Sequence, residues 1–125
     1  MSKQENTDYI KPLPVIQPHS QAFWDATQNG KFLIQHCIDC DSNIFYPRRD
    51  CPECWSNKLD WIEASGKGEV YSFSITYEGV EEKFVADLPI VLAWVDLPEG
   101  PRVNTNIINC DPEDVFIGMQ VEVVY

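Results

Sequence analysis

Cys37-Ile38-Asp39-Cys40, a spacer from Asp41 to Asp50, then Cys51-Pro52-Glu53-Cys54: this stretch decides how the chain folds. Two residues between cysteines let one tight turn aim both sulfurs at a single point. Two such turns facing each other put four thiolates at the corners of a tetrahedron, about 2.3 Å from a central metal. The ten-residue spacer suits a compact hairpin. An all-sulfur set with no open position predicts structural Zn²⁺, with iron in the same geometry as the minor alternative. A redox reading of each pair gives two facing pairs no reason to coexist. With every ligand drawn from the protein, no position remains to activate water.

Four thiolates and one Zn²⁺ carry a local charge of about −4 + 2 = −2, because coordinated thiols are deprotonated. Lys31, Arg48 and Arg49 are the cations near it in sequence. They either offset that charge or, in the case of Arg48 and Arg49, meet a ligand phosphate or an acidic patch on a partner.

Working outward, Lys31 to Gln35 alternates and leads into the first pair as a strand, Ile44 to Tyr46 suits a strand between the pairs, and Leu59 to Ile62 leads out. Upstream, Ser20 to Asn29 reads as a short helix with Ser20 as N-cap and Gly30 closing it. It is too short to stand alone in water, so Phe23 and Trp24 must pack on the body or on a partner. Met1 to His19 holds Pro12, Pro14 and Pro18 and reads as an extended arm, ordered when something binds it. Downstream of Gly66, strands are expected over Val70 to Tyr77, Pro89 to Asp96, Arg102 to Ile108 and Val121 to Tyr125. Gly79 to Leu88 is acidic and reads as a mobile loop. So many strands with so little helix predict a small barrel or sandwich.

The chain has 125 residues, enough for one compact unit or two very small ones, and a metal staple helps at that size. Nine basic and twenty acidic side chains give a net charge of −11, which opposes nucleic acid as the main partner. No apolar run approaches the roughly 18 residues of a membrane span. Met1 to Asp8 is polar and has no signal-peptide core, so a cytoplasmic protein without a membrane partner is expected. Five cysteines in that setting point to metal rather than disulfides. There is no specific catalytic constellation. His19 lies in the arm, His36 adjoins a metal ligand, and Cys110 is expected to be a buried, inert thiol.

These parts, in this order, resemble the OB-fold family with a rubredoxin-like zinc ribbon that is associated with acyl-CoA enzymes and was long filed as a domain of unknown function. The resemblance runs from about Ser20 to Tyr125. It is carried by Phe23-Trp24, by Gly30 to Cys40, by Phe45-Tyr46-Pro47-Arg48 and by Cys51 to Cys54. Ser65-Gly66-Lys67-Gly68-Glu69-Val70 looks like the family's lead-in to its barrel, and Ile117-Gly118-Met119 with Val121-Glu122-Val123 looks like its closing strand.

The resemblance implies a mainly β protein: N-terminal arm and short helix over residues 1–35, rubredoxin-like zinc ribbon over 36–62, and a small OB-fold barrel over 63–125. It implies Cys37, Cys40, Cys51 and Cys54 as ligands, and Phe23 and Trp24 as the partner or CoA surface, to which the charge argument adds Arg48 and Arg49. Relatives carry glycine after the second and fourth cysteines, where this chain has Asp41 and Trp55. Asp tolerates a left-handed backbone fairly well and Trp poorly, so a distorted second knuckle is expected. Either a barrel short of one strand or an open edge, able to take a partner's strand, is a further expectation.

The implied role is a non-catalytic accessory subunit in acyl-CoA metabolism, beside a thiolase-like or hydratase-like enzyme, with acyl-CoA as a candidate ligand. The competing readings are a single-stranded nucleic-acid-binding module, with Tyr71, Phe73 and Tyr77 stacking bases, and an enzyme acting on acyl-CoA esters through Cys110, His19 or His36.

Overall fold

The computed structural model describes residues 10–125. The expectation for the start of the arm therefore lies outside the described residues. Residues 10–17 form neither helix nor strand, and Leu13 and Val15 are exposed. Lys11 reaches Asp87 at 2.6 Å.

A 3-10 turn, Pro18–Ser20, leads into helix α1, Gln21–Thr27. Ser20 stands at the N-cap as expected, but its hydroxyl turns back to the main chain of Gln17 rather than forward to the helix. Gly30 takes a left-handed φ of 71°, and the Lys31 N–H returns to the Ala26 carbonyl at 3.0 Å, which closes the helix. At seven residues α1 draws little stability from its own hydrogen bonds. Its position is set by aromatic packing. Phe23 lies 5.0 Å from Trp24, 5.9 Å from Phe32 and 5.6 Å from Phe45, ring centre to ring centre, all at steep angles. Edge-to-face pairs of this kind add to the gain from burial alone.

The first sheet has strands β1 (Phe32–Cys37), β2 (Asn43–Ile44) and β3 (Leu59–Ala64), in the antiparallel order β2-β1-β3. It starts within the stretch expected to be arm and helix. The second has β4 (Lys67–Thr76), β5 (Ile90–Asp96), β6 (Arg102–Ile107) and β7 (Gln120–Glu122), ordered β6-β5-β4-β7 and antiparallel throughout. Alternate residues Val91, Ala93 and Val95 of β5 point inward and are buried.

Two features curl this sheet. The ladder slips between Val70 and Ser72, leaving Tyr71 as an outward bulge, and bulges bend and twist a strand. At Gly68 the β5 strand comes so close that a Cβ would sit 3.0 Å from the Asp96 carbonyl and collide with Val95. The result is an OB-like half-barrel, in line with the expected class of short helix, ribbon and barrel. Phe23, Phe32, Ile34, Ala64, Ala93, Val95 and Val103 form one cluster, so helix, ribbon sheet and barrel share a core.

Three expectations are corrected. The stretch from Gly79 to Leu88 is not simply a loop: Glu82–Asp87 form a 3-10 helix. Cys110 is exposed, because it follows the edge strand β6 in a turn with nothing packed over it. Phe73 is no open stacking platform, because the bulge at Tyr71 shifts the face of β4 and turns its ring towards the core.

Candidate metal centre

The four cysteines converge. Cys37 ends β1, Cys40 lies in the turn after it, and Cys51 and Cys54 occupy the facing turn. All four Sγ atoms lie within 4.8 Å of one another. Cys37 Sγ is 3.6 Å from Cys54 Sγ, and Cys40 Sγ is 3.6 Å from Cys51 Sγ. Disulfides need about 2.05 Å, so these are not bonded pairs. A metal–sulfur bond of about 2.3 Å in a tetrahedron puts sulfurs about 3.8 Å apart, so the donor set fits one tetrahedral ion. Cys37 and Cys51 are fully buried, and Cys40 and Cys54 form the outer rim.

The two knuckles are copies of one another. The Asp41 N–H donates to the Cys37 carbonyl and the Trp55 N–H to the Cys51 carbonyl, both at 2.8 Å. The Cys37 N–H donates to Ser42 O at 2.9 Å and the Cys51 N–H to Ser56 O at 2.8 Å. Asp41 has φ 62° and Trp55 φ 66°. The expected distortion of the second knuckle is therefore absent, since Trp55 adopts the left-handed turn in full and leaves its ring 79% exposed. The Ser56 hydroxyl donates to Asp39 at 2.5 Å and ties the two turns together.

Without a cation the sulfurs are an uneven set. Cys40 is drawn down to about 6, chiefly by hydrogen bonds from the Ser42 side chain and backbone. At Cys54 the Ser56 backbone hydrogen bond lowers the value, but lost hydration and the three neighbouring sulfurs outweigh it and push the thiol up to about 12. Four thiolates at this separation repel too strongly to ionise together, and a divalent cation removes that conflict.

Around the site, Gln35 is the residue that sequence reasoning missed. It is 4% exposed, donates from Nε2 to the Arg48 carbonyl and accepts the Arg48 N–H at Oε1, each at 2.8 Å. This reciprocal pair pins the loop between the knuckles to β1. The only sequence signal was a polar side chain within an otherwise inward-facing strand. His36, next to the ligand Cys37, is held by its neighbours. Its Nδ1 lies 2.7 Å from Asn43 Oδ1, a contact that, ahead of Asp41, raises its pKa. Asn43 in turn donates to the Glu99 carbonyl and links ribbon to barrel.

The expected partner surface is divided. Phe23 is buried at 9% exposure because the short helix has nothing else to dock with, so it is corrected from open surface to core. Trp24 is half-buried and borders a hollow beside the barrel. Arg48 and Arg49 are exposed, and among the described residues neither joins a salt bridge. No helix of the described residues is long and apolar enough to cross a membrane.

The ChsH2 rubredoxin-like zinc ribbon domain matches residues 24–60, and the ChsH2 C-terminal OB-fold domain matches 61–125. A DUF35 domain-containing scaffold protein of Methanocaldococcus jannaschii is 40% identical, over 71% of this chain and 63% of its own length. A probable enoyl-CoA hydratase alpha subunit of Thermomonospora curvata is 35% identical over 90% of this chain, which spans 34% of that subunit. The benzoylsuccinyl-CoA thiolase subunit BbsA of Geobacter metallireducens is 36% identical over 62% of this chain and 54% of its own. Among solved structures, an Ltp2-ChsH2(DUF35) aldolase chain superposes with a TM-score of 0.75 at 33% identity, covering 88% of this chain and 85% of that one.

Proposed function

Because the chain belongs to the ChsH2 family, which joins a rubredoxin-like zinc ribbon to a C-terminal OB-fold domain, we propose that it is a non-catalytic accessory subunit in acyl-CoA metabolism. Its partner is a thiolase-like or hydratase-like enzyme, and its resident metal is zinc in a structural role. The observation that carries this reading is the closed sulfur tetrahedron. Cys37, Cys40, Cys51 and Cys54 fill every position around one ion, so the ion holds two turns together and offers no open position to substrate. A bound zinc would supply fixed positive charge at the centre of the ribbon.

The other nucleophiles and bases are scattered. Cys110 is exposed beyond β6, His19 lies in the turn before α1, and His36 is held by Asn43. The relatives named as scaffold, hydratase subunit and thiolase subunit support a supporting role beside an enzyme. Arg48 and Arg49, adjacent and exposed, are the side chains we assign to an acidic partner patch or a phosphate of CoA.

The nucleic-acid reading is weaker. Tyr71 and Trp94 are exposed on the outer face of the barrel, but Arg102 beside them is held by Asp96 and stacked on Tyr71 at 3.4 Å. The Tyr77 hydroxyl donates to Glu113. No free cation among these residues attracts a phosphate, and the net charge of −11 repels one.

The test is recovery of the tagged full chain from its source cells. A thiolase-like or hydratase-like protein in near-equal amount supports the reading. Activity of that complex unchanged by Cys110→Ala, His19→Ala and His36→Ala confirms the non-catalytic role. A chain that comes down alone and turns over acyl-CoA esters by itself overturns it.

A further inference from the structure

The chain carries four tryptophans, and they sit in different surroundings. Trp24 and Trp61 are half-buried against the shared core, and Trp94 lies on β5 with 43% exposure. Trp55 is 79% exposed, and among the described residues its ring meets no other ring, cation or hydrogen-bond partner.

The two knuckles permit an internal comparison. Asp41 and Trp55 occupy matching left-handed positions, directly after Cys40 and Cys54. Asp41 has an intramolecular use there, since its carboxylate lies 3.3 Å from His36 Nε2. Trp55 has none, although a left-handed backbone disfavours a side chain and a large apolar ring is poorly placed in water. Both penalties fall on one residue with no offsetting contact inside the chain. A contact outside it would supply the offset.

The neighbours give this surface its chemistry. The Ser56 hydroxyl bond to Asp39 and the Ile38 N–H bond to the Lys58 carbonyl draw residues 38–39 alongside 55–58. Ile38, 53% exposed, is therefore a second apolar side chain at the same end of the ribbon. The knuckle turns, residues 37–42 and 51–56, carry Asp39, Asp41 and Glu53 but no lysine or arginine. Asp39 and Glu53 join no salt bridge among the described residues. The cations next along the chain are Lys58 and, in the spacer before Cys51, Arg48 and Arg49.

An exposed indole beside unpaired carboxylates suits a guanidinium. The ring face attracts the cation, and the carboxylates complete its charge and its hydrogen bonds. Ile38 suits an apolar neighbour of that arginine. The same acidic turns repel nucleic acid and an anionic lipid surface. They also repel an identical knuckle, which disfavours a symmetric contact between two copies.

We propose that the ribbon tip formed by Trp55, Ile38, Asp39 and Glu53 docks an arginine-bearing segment of the partner enzyme, with the guanidinium over the Trp55 indole and an apolar side chain against Ile38. This deepens the accessory-subunit reading and rests on it for the partner. The contact itself can fail or stand separately.

The experiment titrates the full, nitrogen-15-labelled chain with a blocked peptide of glycine, leucine, arginine, leucine and glycine, and follows the indole N–H signals of the four tryptophans. A second peptide has citrulline for arginine, which keeps the shape and removes the charge. Trp55→Gly identifies the Trp55 signal by its absence and leaves the ribbon folded, because glycine accepts the left-handed turn. The expected result is a saturable shift of the Trp55 signal while those of Trp24, Trp61 and Trp94 stay in place. Citrulline should weaken binding about tenfold, and Glu53→Gln about threefold. Glu82→Gln, the same charge change outside the ribbon, should leave it unaltered.

No shift of the Trp55 signal, equal shifts of all four signals, an equal response to citrulline, or equal effects of Glu82→Gln and Glu53→Gln would overturn the proposal. So would an oligomer that Trp55→Gly dissolves, which gives the surface to a second copy, or binding to phosphatidylglycerol vesicles that Trp55→Gly abolishes, which gives it to a membrane. Should the peptide shift Trp55 while the tagged chain recovers no enzyme, the accessory reading fails and the docking surface stands. Should an enzyme be recovered equally with wild type and Trp55→Gly, the reading stands and the docking surface falls.

Discussion

The ribbon and the half-barrel are both short antiparallel sheets, yet different forces hold them. The ribbon's own interior is Cys37, Ile44 and Cys51 with Leu59 packed alongside. Two of those three fully enclosed residues are sulfur ligands, so without an ion little apolar surface remains to hold the turns. The barrel instead draws on Val95, Ala93, Val103 and Leu97, joined by Phe23 and Phe32. A region whose core is its ligand set should respond to chelators and pH, and a region whose core is aliphatic should respond to changes of volume.

The largest contrast is expected on metal removal. Structural zinc supplies roughly 10–16 kcal/mol to isolated ribbon-like peptides, so a strong chelator or Cys51→Ser should unfold the stretch from Cys37 to Lys58. Hydrogen exchange should show those amides losing protection while Val70, Val95 and Val103 keep theirs. Equal loss in both regions would erase the distinction.

Acidification should act on the same side of it. In the metal-free site Cys54 sits at about 12, so binding displaces its proton at any neutral pH. Below about 6 Cys40 must also lose one. Metal affinity should therefore fall as pH falls, by about tenfold per unit for each proton displaced, and more steeply below the Cys40 value. Competition with a chromophoric chelator across that range checks it, and an affinity independent of pH would contradict it.

Volume changes should act on the barrel. Gly68→Ala drives a methyl group against Val95 and the Asp96 carbonyl, at a cost of about 1–3 kcal/mol. Thermal unfolding with metal affinity measured in parallel should show lower stability and unchanged binding. Gln35→Ala, which strips both partners from the Arg48 backbone, should cost about 1–3 kcal/mol and loosen the ribbon loop instead.

The smallest effect has the opposite sign. Trp55 holds a left-handed conformation that costs a side chain about 1–2 kcal/mol, so Trp55→Gly should raise ribbon stability by up to about that amount. A midpoint that falls would show that the Trp55 ring makes a compensating contact.

Much of this was legible in the residues. Two Cys-x-x-Cys pairs name their own geometry, because a tight turn fixes the sulfur positions locally. Apolar alternation placed β5 and β6 to within a residue or so, because each has one face in the core. What escaped is non-local. The Gln35–Arg48 clamp joins residues thirteen apart across a loop. The curl that brings β6 to β7 depends on a bulge and on one close approach at Gly68, neither of which leaves a periodic signal. Phe23 read as surface because a short helix does not reveal which side it docks.

The most direct test of the accessory-subunit reading is native mass spectrometry of the recovered tagged chain, with turnover of acyl-CoA esters measured on the same sample. One metal ion per chain, a stoichiometric thiolase-like or hydratase-like partner, and no turnover by the chain once it is separated from that partner are the expected results. A metal-free chain without a partner that still turns over acyl-CoA esters would contradict it.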